Sequence, residues 1–226
     1  MRSPPKQPNP NILVLSPLLS LPVFLTCSPC CPLLDKNVTT SSQLRNLENM
    51  IYTFPLHPTH TLTVLLYTNI TNASTIIPTL QSHSLPAAVL QTTHIASMFT
   101  LLSAANRALH NAHHKQLKTH AVESELLYNL SPSHSISHAF RTFGVADDST
   151  TVVVCMFDAT PETLAILDSA IQGEKVDNPQ PTVDAMPAEK VARLTKMYKI
   201  KPVELVRRTL PDAIDTLLSV RNFKSR

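Results

Sequence analysis

The sequence predicts an α/β (α+β) fold: a single domain with a small mixed or antiparallel sheet flanked by several helices. Three observations lead there. Strand-like and helix-like periodicities interleave from Met50 onward. Two short apolar runs, Thr61–Tyr67 (TLTVLLY) and Thr151–Phe157 (TVVVCMF), have the β-branched enrichment of buried strands. Ile95, Met98, Phe99, Leu102, Ala105, Leu109 and Ala112 recur with the helical period and mark an amphipathic core helix over about residues 95–113.

The remaining elements follow in order. Residues 1–49 hold 8 of the 19 prolines and the apolar run Ile12–Leu25. Pro17 and Pro22 interrupt that run and no Ala-x-Ala-like cleavage site follows, so it reads neither as a signal peptide nor as a membrane span. The expectation is a disordered extension or an early start codon, with the domain over residues 50–226. Asn72 is placed to cap a helix running to about Ser82, and Ala88–Gln91 is a brief extended run. Ser124–Leu130 reads as a strand, with Glu123 and Glu125 on its outer face and Ser124, Leu126 and Tyr128 inside. Ile136, Ala139, Phe140 and Phe143 form the apolar stripe of a short helix, with Ser135 as its cap, the Ser131-Pro132 turn before it, and Gly144 closing it in a left-handed conformation. Thr160-Pro161 starts another helix with Pro161 at its first position and Gly173 closing it. A loose stretch over Glu174–Met186 leads to a helix near Pro187–Lys199 and a last helix ending near Val220.

Composition removes whole classes of chemistry. With only two glycines, Gly144 and Gly173, the chain holds no P-loop and no dinucleotide-binding fingerprint. No Gly-x-Ser-x-Gly elbow is present, so the serines of NLSPSHSISHAFRTFGV, Asn129–Val145, read as turn and cap residues rather than nucleophiles. Cys27-x-x-Cys30 has the spacing of half a zinc site but lacks a second pair, and Cys155 is alone in an apolar run. His110, His113 and His114 share the spacing i, i+3, i+4. With no carboxylate nearby to orient them, they read as exposed histidines near a helix C-terminus, and no metal or other cofactor is expected. Asp147 and Asp148 read as turn residues.

The net charge of +3 is modest, but its distribution is uneven. From Asn49 to Val122 there is no Asp or Glu, while Arg107, Lys115, Lys118 and eight of the ten histidines fall there. A second basic cluster comprises Lys190, Arg193, Lys196, Lys199, Lys201, Arg207 and Arg208, and reads as a solvated helix face.

The run from Ala104 to Val154 closely resembles the kinase-binding subunit of the KEOPS (EKC) complex, the PRPK-binding protein family. The residues that carry the likeness are the triplet Lys118-Thr119-His120, the carboxylate Glu125, Leu130-Ser131-Pro132 with Ile136 downstream, and Phe143-Gly144. Weaker matches are Asn72-Ala73, Met197–Ile200 (MYKI) and Asp212-Ala213-Ile214, and the likeness covers about residues 50–220. The resemblance implies a small α/β protein that is not an enzyme and that works in nucleus and cytoplasm. Its implied partners are the complex's small atypical kinase/ATPase, indirectly a Kae-type threonylcarbamoyl synthase, and tRNA including the 3′ CCA tail, with no membrane. The tRNA contacts then fall to Arg107, Lys115, Lys118 and His120. His120 stands where the family usually has arginine, and imidazole lacks the bidentate guanidinium fork. Leu210, Ile214, Leu217 and Leu218 follow the anchor spacing of a helix laid against a partner groove, which makes the last helix the expected kinase contact; the same spacing also suits packing inside the domain. A rival reading is a secreted glycoprotein, since Asn37-Val-Thr, Asn69-Ile-Thr, Asn72-Ala-Ser and Asn129-Leu-Ser match the N-glycosylation acceptor pattern.

Overall fold

Alternating side chains along two central strands, each buried on both faces, organise the structure. The computed structural model describes residues 51–223, and the readings made on residues 1–50 lie outside it. Strand β1 (Ile51–Phe54) turns through Pro55-Leu56 into the long β2 (His57–Thr68). β3 (Ala88–Gln91) and β4 (Val152–Phe157) complete a path ordered β1-β2-β4-β3, with every pairing antiparallel, and β5 (Glu174–Val176) joins β2 at Leu66–Thr68. Both long apolar runs are central strands, as their composition predicts.

Residues Leu62, Val64 and Leu66 of β2, with Val153 and Cys155 of β4, enter one core; Leu65 and Tyr67, with Val152, Val154 and Met156, enter the other. The second core is closed by α1 (Ala73–Ser82) and α5 (Pro161–Ala170), through Ile76, Leu80 and Leu167. The first is closed by α2 (Met98–His113), α3 (Val122–Leu130), α7 (Ala188–Tyr198) and α9 (Leu210–Phe223). A two-residue-period strand can fill both cores only if every position is apolar, which is why these runs look continuous rather than alternating. Cys155 is fully buried, and burial pushes its thiol pKa up. The helices α4 (Ile136–Phe143), α6 (Gln180–Asp184) and α8 (Pro202–Leu205) complete the described residues, with a 3-10 turn at Thr92–His94.

Several local expectations need correction. Residues 124–130 form helix α3 rather than a strand, with every residue from Glu125 to Leu130 buried. A helix buried all round shows no stripe, so ELLYNL carries no period to read. β1, β5 and α6 are present where no element was expected. Ser135 does cap α4, accepting from the His138 amide at 3.3 Å, and Pro161 does open α5, where Thr160 and Thr163 form a reciprocal capping pair. Asn72 makes no cap bond. Its Nδ2 donates to the Ala170 carbonyl at 2.9 Å and its Oδ1 accepts from the Gln172 amide at 3.0 Å, stitching the start of α1 to the end of α5.

Neither glycine is left-handed. Gly144 has φ −64°, and a Cβ there would sit 2.4 Å from the Phe140 carbonyl oxygen; one at Gly173, which lies beyond the end of α5, would sit 2.8 Å from that of Thr68. Close approach, not positive φ, is what demands glycine. The left-handed positions fall instead to Asn69, Ser84, Lys115, Asp158 and Lys199.

Candidate functional site

The strongest polar constellation lies between α2 and α3. Helix α2 ends with Lys115 in the left-handed conformation, φ 55°, while the amides of Lys115 and Gln116 donate back to the carbonyls of Ala112 (3.0 Å) and Asn111 (2.8 Å). This paired closure turns the chain sharply off the helix. The loop that follows is held from beneath by Glu125, which is 0% exposed. Its Oε1 accepts from Asn111 Nδ2 at 2.9 Å, and its Oε2 accepts from the amides of Lys118 (3.0 Å) and Thr119 (3.1 Å) and from the Thr119 hydroxyl (3.0 Å). Four donors converging on one carboxylate are what makes burying it tolerable. Lys115, Lys118 and His120 stand exposed on this loop, and the Lys118 Nζ lies 5.8 Å from the centroid of the Tyr128 ring.

Three of the four residues assigned to tRNA are thus brought together. Arg107 sits eight residues earlier on α2, about 12 Å along its axis, half-buried, with Nη1 donating to the Leu218 carbonyl at 3.0 Å. Burial, with Arg221 adding to it, holds its guanidinium pKa below the ordinary value. In this chain Arg107 fastens α2 to α9.

The Leu130-Ser131-Pro132 stretch marks a second convergence. The Tyr198 hydroxyl of α7 donates to the Leu130 carbonyl at 2.7 Å, and the Arg221 guanidinium of α9 donates to the carbonyls of Tyr128 (3.2 Å) and Ser133 (3.3 Å). Arg221 also stacks over the Tyr128 ring at 4.9 Å. The MYKI stretch and the Leu-Ser-Pro stretch therefore meet in space.

On α9 the anchor spacing is used inward. Leu210, Ile214 and Leu218 are buried in this chain's own core and Leu217 is half-buried, so the first three do not form an outward face. Around α8 and α9 the exposed apolar side chains are instead Val203, Val206 and Val220, which with Leu217 line a hollow of about 750 Å³ rimmed by Arg207 and Arg208. The second basic cluster is only partly a solvated face: Lys190 is 6% exposed and donates to the Val183 carbonyl at 2.6 Å.

Three glycosylation patterns fall among the described residues. Asn129 is 1% exposed with its amide directed to the Ala104 carbonyl, and the Asn72 amide is engaged in the α1–α5 stitch. Only Asn69 is exposed, and its amide donates to Glu174 Oε2 at 3.0 Å. Nothing here supports the secreted reading. Among the described residues no helix is long and apolar enough to cross a membrane, and no three His, Cys, Asp or Glu side chains stand in ligating geometry.

The open sheet with a core on each face, the braced basic loop and the exposed apolar hollow belong to a small α/β protein. The profile described as Kinase binding protein CGI-121 matches residues 67–222. The chain belongs to that kinase-binding family. It is 32% identical over 165 residues to the EKC/KEOPS complex subunit TPRKB of Danio rerio, covering 72% of this chain and 92% of the relative. It is 31% identical over 156 residues to the EKC/KEOPS complex subunit cgi121 of Schizosaccharomyces pombe, covering 67% and 88%. The EKC/KEOPS complex subunit CGI121 of Candida glabrata is 26% identical over 172 residues, covering 75% and 95%.

Proposed function

We propose that this chain is a non-catalytic accessory subunit of a KEOPS/EKC complex, working in nucleus and cytoplasm with residues 50–226 as its functional domain. In this reading it binds the complex's small atypical kinase/ATPase and contacts tRNA, including the single-stranded CCA tail. It thereby supports a Kae-type synthase that places threonylcarbamoyl on an adenosine of tRNAs reading A-starting codons. The observation that carries the tRNA part is the loop braced by Glu125. Its lysines are exposed while its backbone is already ordered, so little conformational entropy opposes contact with phosphate. Arg107, tied to the Leu218 carbonyl, contributes to that surface mainly by bracing α2. The kinase contact is assigned to α8 and α9, with Val203, Val206, Leu217 and Val220 as the apolar anchors and the buried Leu210, Ile214 and Leu218 holding the helix in place.

The test is the salt dependence of tRNA binding by the full chain. Replacing Lys115 and Lys118 together with glutamate should weaken binding and flatten the slope of log K against log salt by about 1.4, two contacts at about 0.7 each for single strands. An unchanged slope removes both lysines from the interface.

A further inference from the structure

Four imidazoles crowd together where α2 ends. The His110 and His114 ring centroids are 4.4 Å apart and those of His113 and His114 5.1 Å, both pairs edge to face. His57, at the start of β2, lies 5.7 Å from His113 and 6.1 Å from His110. The three helical rings are exposed, whereas His57 is 8% exposed and stands behind them. After His114 the chain passes directly into Lys115, whose left-handed conformation starts the loop that carries Lys118 and His120. The exposed imidazoles and the exposed lysines therefore share one rim. β2 and α3 both pack against α2. The titratable group that β2 brings to this end is His57, and the one that α3 brings is Glu125, both of whose oxygens are taken by Asn111, Lys118 and Thr119. On α2 itself the neighbours are His110 and Lys115. Among the described residues neither His113 nor His114 forms an ion pair with a carboxylate.

Imidazole is mostly neutral near pH 7, and neutral rings pack edge to face as these do. Charges on rings this close oppose one another, and a phosphate set among them reverses the balance because it favours the charged form of each. We propose that the histidine end of α2 extends the nucleic-acid surface and makes it proton-linked: His113 and His114 donate to phosphate as imidazolium, so the complex holds more protons than its free partners. The inference rests on the tRNA reading of the basic loop given above. Linkage is reciprocal, so if phosphate tightens proton binding, protons tighten phosphate binding by the same factor. The bound state is the more protonated one. Affinity therefore rises as pH falls through the imidazole range, from about 8 to about 6, and above that range the gain is absent because neither state is protonated. The carbonyl end of α2 favours positive charge in free and bound protein alike, so it adds no pH dependence of its own. Lys115 and Lys118 supply the constant part of the attraction, and the histidines supply the part that follows pH.

The test uses the full chain and an unmodified tRNA transcript, with affinity measured at about pH 6 and about pH 7.5 over a series of salt concentrations. The parent should bind about tenfold more tightly at the lower pH, and its slope of log K against log salt should steepen there by up to about 1.4, two further contacts at about 0.7 each. His113→Gln combined with His114→Gln, both at exposed positions, should cut the pH gain to about threefold or less and remove the added slope, with the fold unchanged by circular dichroism. His83→Gln, just past the end of α1, should keep the full gain. Heats of binding in two buffers of different ionisation enthalpy should report uptake of about one proton by the parent and less by the double variant. Equal affinity at both pH values, or a double variant that keeps the parent's gain, overturns the proposal and leaves the lysine contacts standing. A gain with no change in salt slope overturns it as well, since protonation would then act away from phosphate. A parent that binds no tRNA at either pH overturns the tRNA reading and this inference with it. Should the double variant fail to fold, His114→Gln alone decides.

Discussion

At Glu125, burying a carboxylate and ordering a surface loop are one event. The donors that satisfy its charge are the backbone amides and hydroxyl of the loop that carries the exposed lysines. Removing it strands those neutral donors, so Glu125→Ala is expected to cost about 1–3 kcal/mol, read from the denaturant midpoint. Amide exchange at Lys118 and Thr119 should accelerate beyond what the global loss accounts for, whereas exchange rising uniformly across the chain would mean that the carboxylate braces no particular loop. The sequence signalled Glu125 only through the resemblance: two carboxylates at i and i+2 read as the outer face of a strand, and nothing local says that one of them is buried. Gly144 teaches the same lesson, since a glycine after a helix reads as a left-handed cap whereas here it avoids a clash with a carbonyl oxygen.

Elements were legible where their burial leaves a period. α2 and the strands β2 and β4 announced themselves through amphipathic recurrence or β-branched runs, while α3, buried along most of its length, had no polar face to set its phase. α9 shows a subtler limit: the spacing of Leu210, Ile214, Leu217 and Leu218 states that one face is apolar, not whether that face meets this chain or another. How the helices are fastened was not legible either, because the fastening runs through backbone carbonyls. The Tyr198 hydroxyl bonded to the Leu130 carbonyl ties α7 to the end of α3 in a buried setting. Tyr198→Phe leaves that carbonyl without its donor and keeps the ring, so a loss of about 1–3 kcal/mol is expected in denaturant melts. A change below a few tenths would mean that the bond is replaceable.

The molecule as a whole presents a basic loop between α2 and α3 and an apolar hollow at α8 and α9, with no residue in common. The proposed partners should therefore be separable by mutation. Val206 is 84% exposed, so Val206→Asp places a charge in the hollow without disturbing the core, and it should cut kinase co-purification at least tenfold while tRNA binding is kept. Loss of both activities together, or of neither, would contradict the division. Ile214→Asp is a poor substitute: with that side chain 0% exposed, a charge there would unfold the domain and remove every interaction alike.

Cys155 lies in the middle of the central strand β4 with a fully buried thiol whose ionisation burial disfavours. Since the thiolate is the species that reacts, alkylating reagents reach it only in molecules whose sheet has opened. With Cys27, Cys30 and Cys31 replaced by serine, the chain carries one intrinsic chronometer: its labelling rate counts openings of the sheet in the native protein, and a partner that steadies the fold will slow that clock without touching the sulfur.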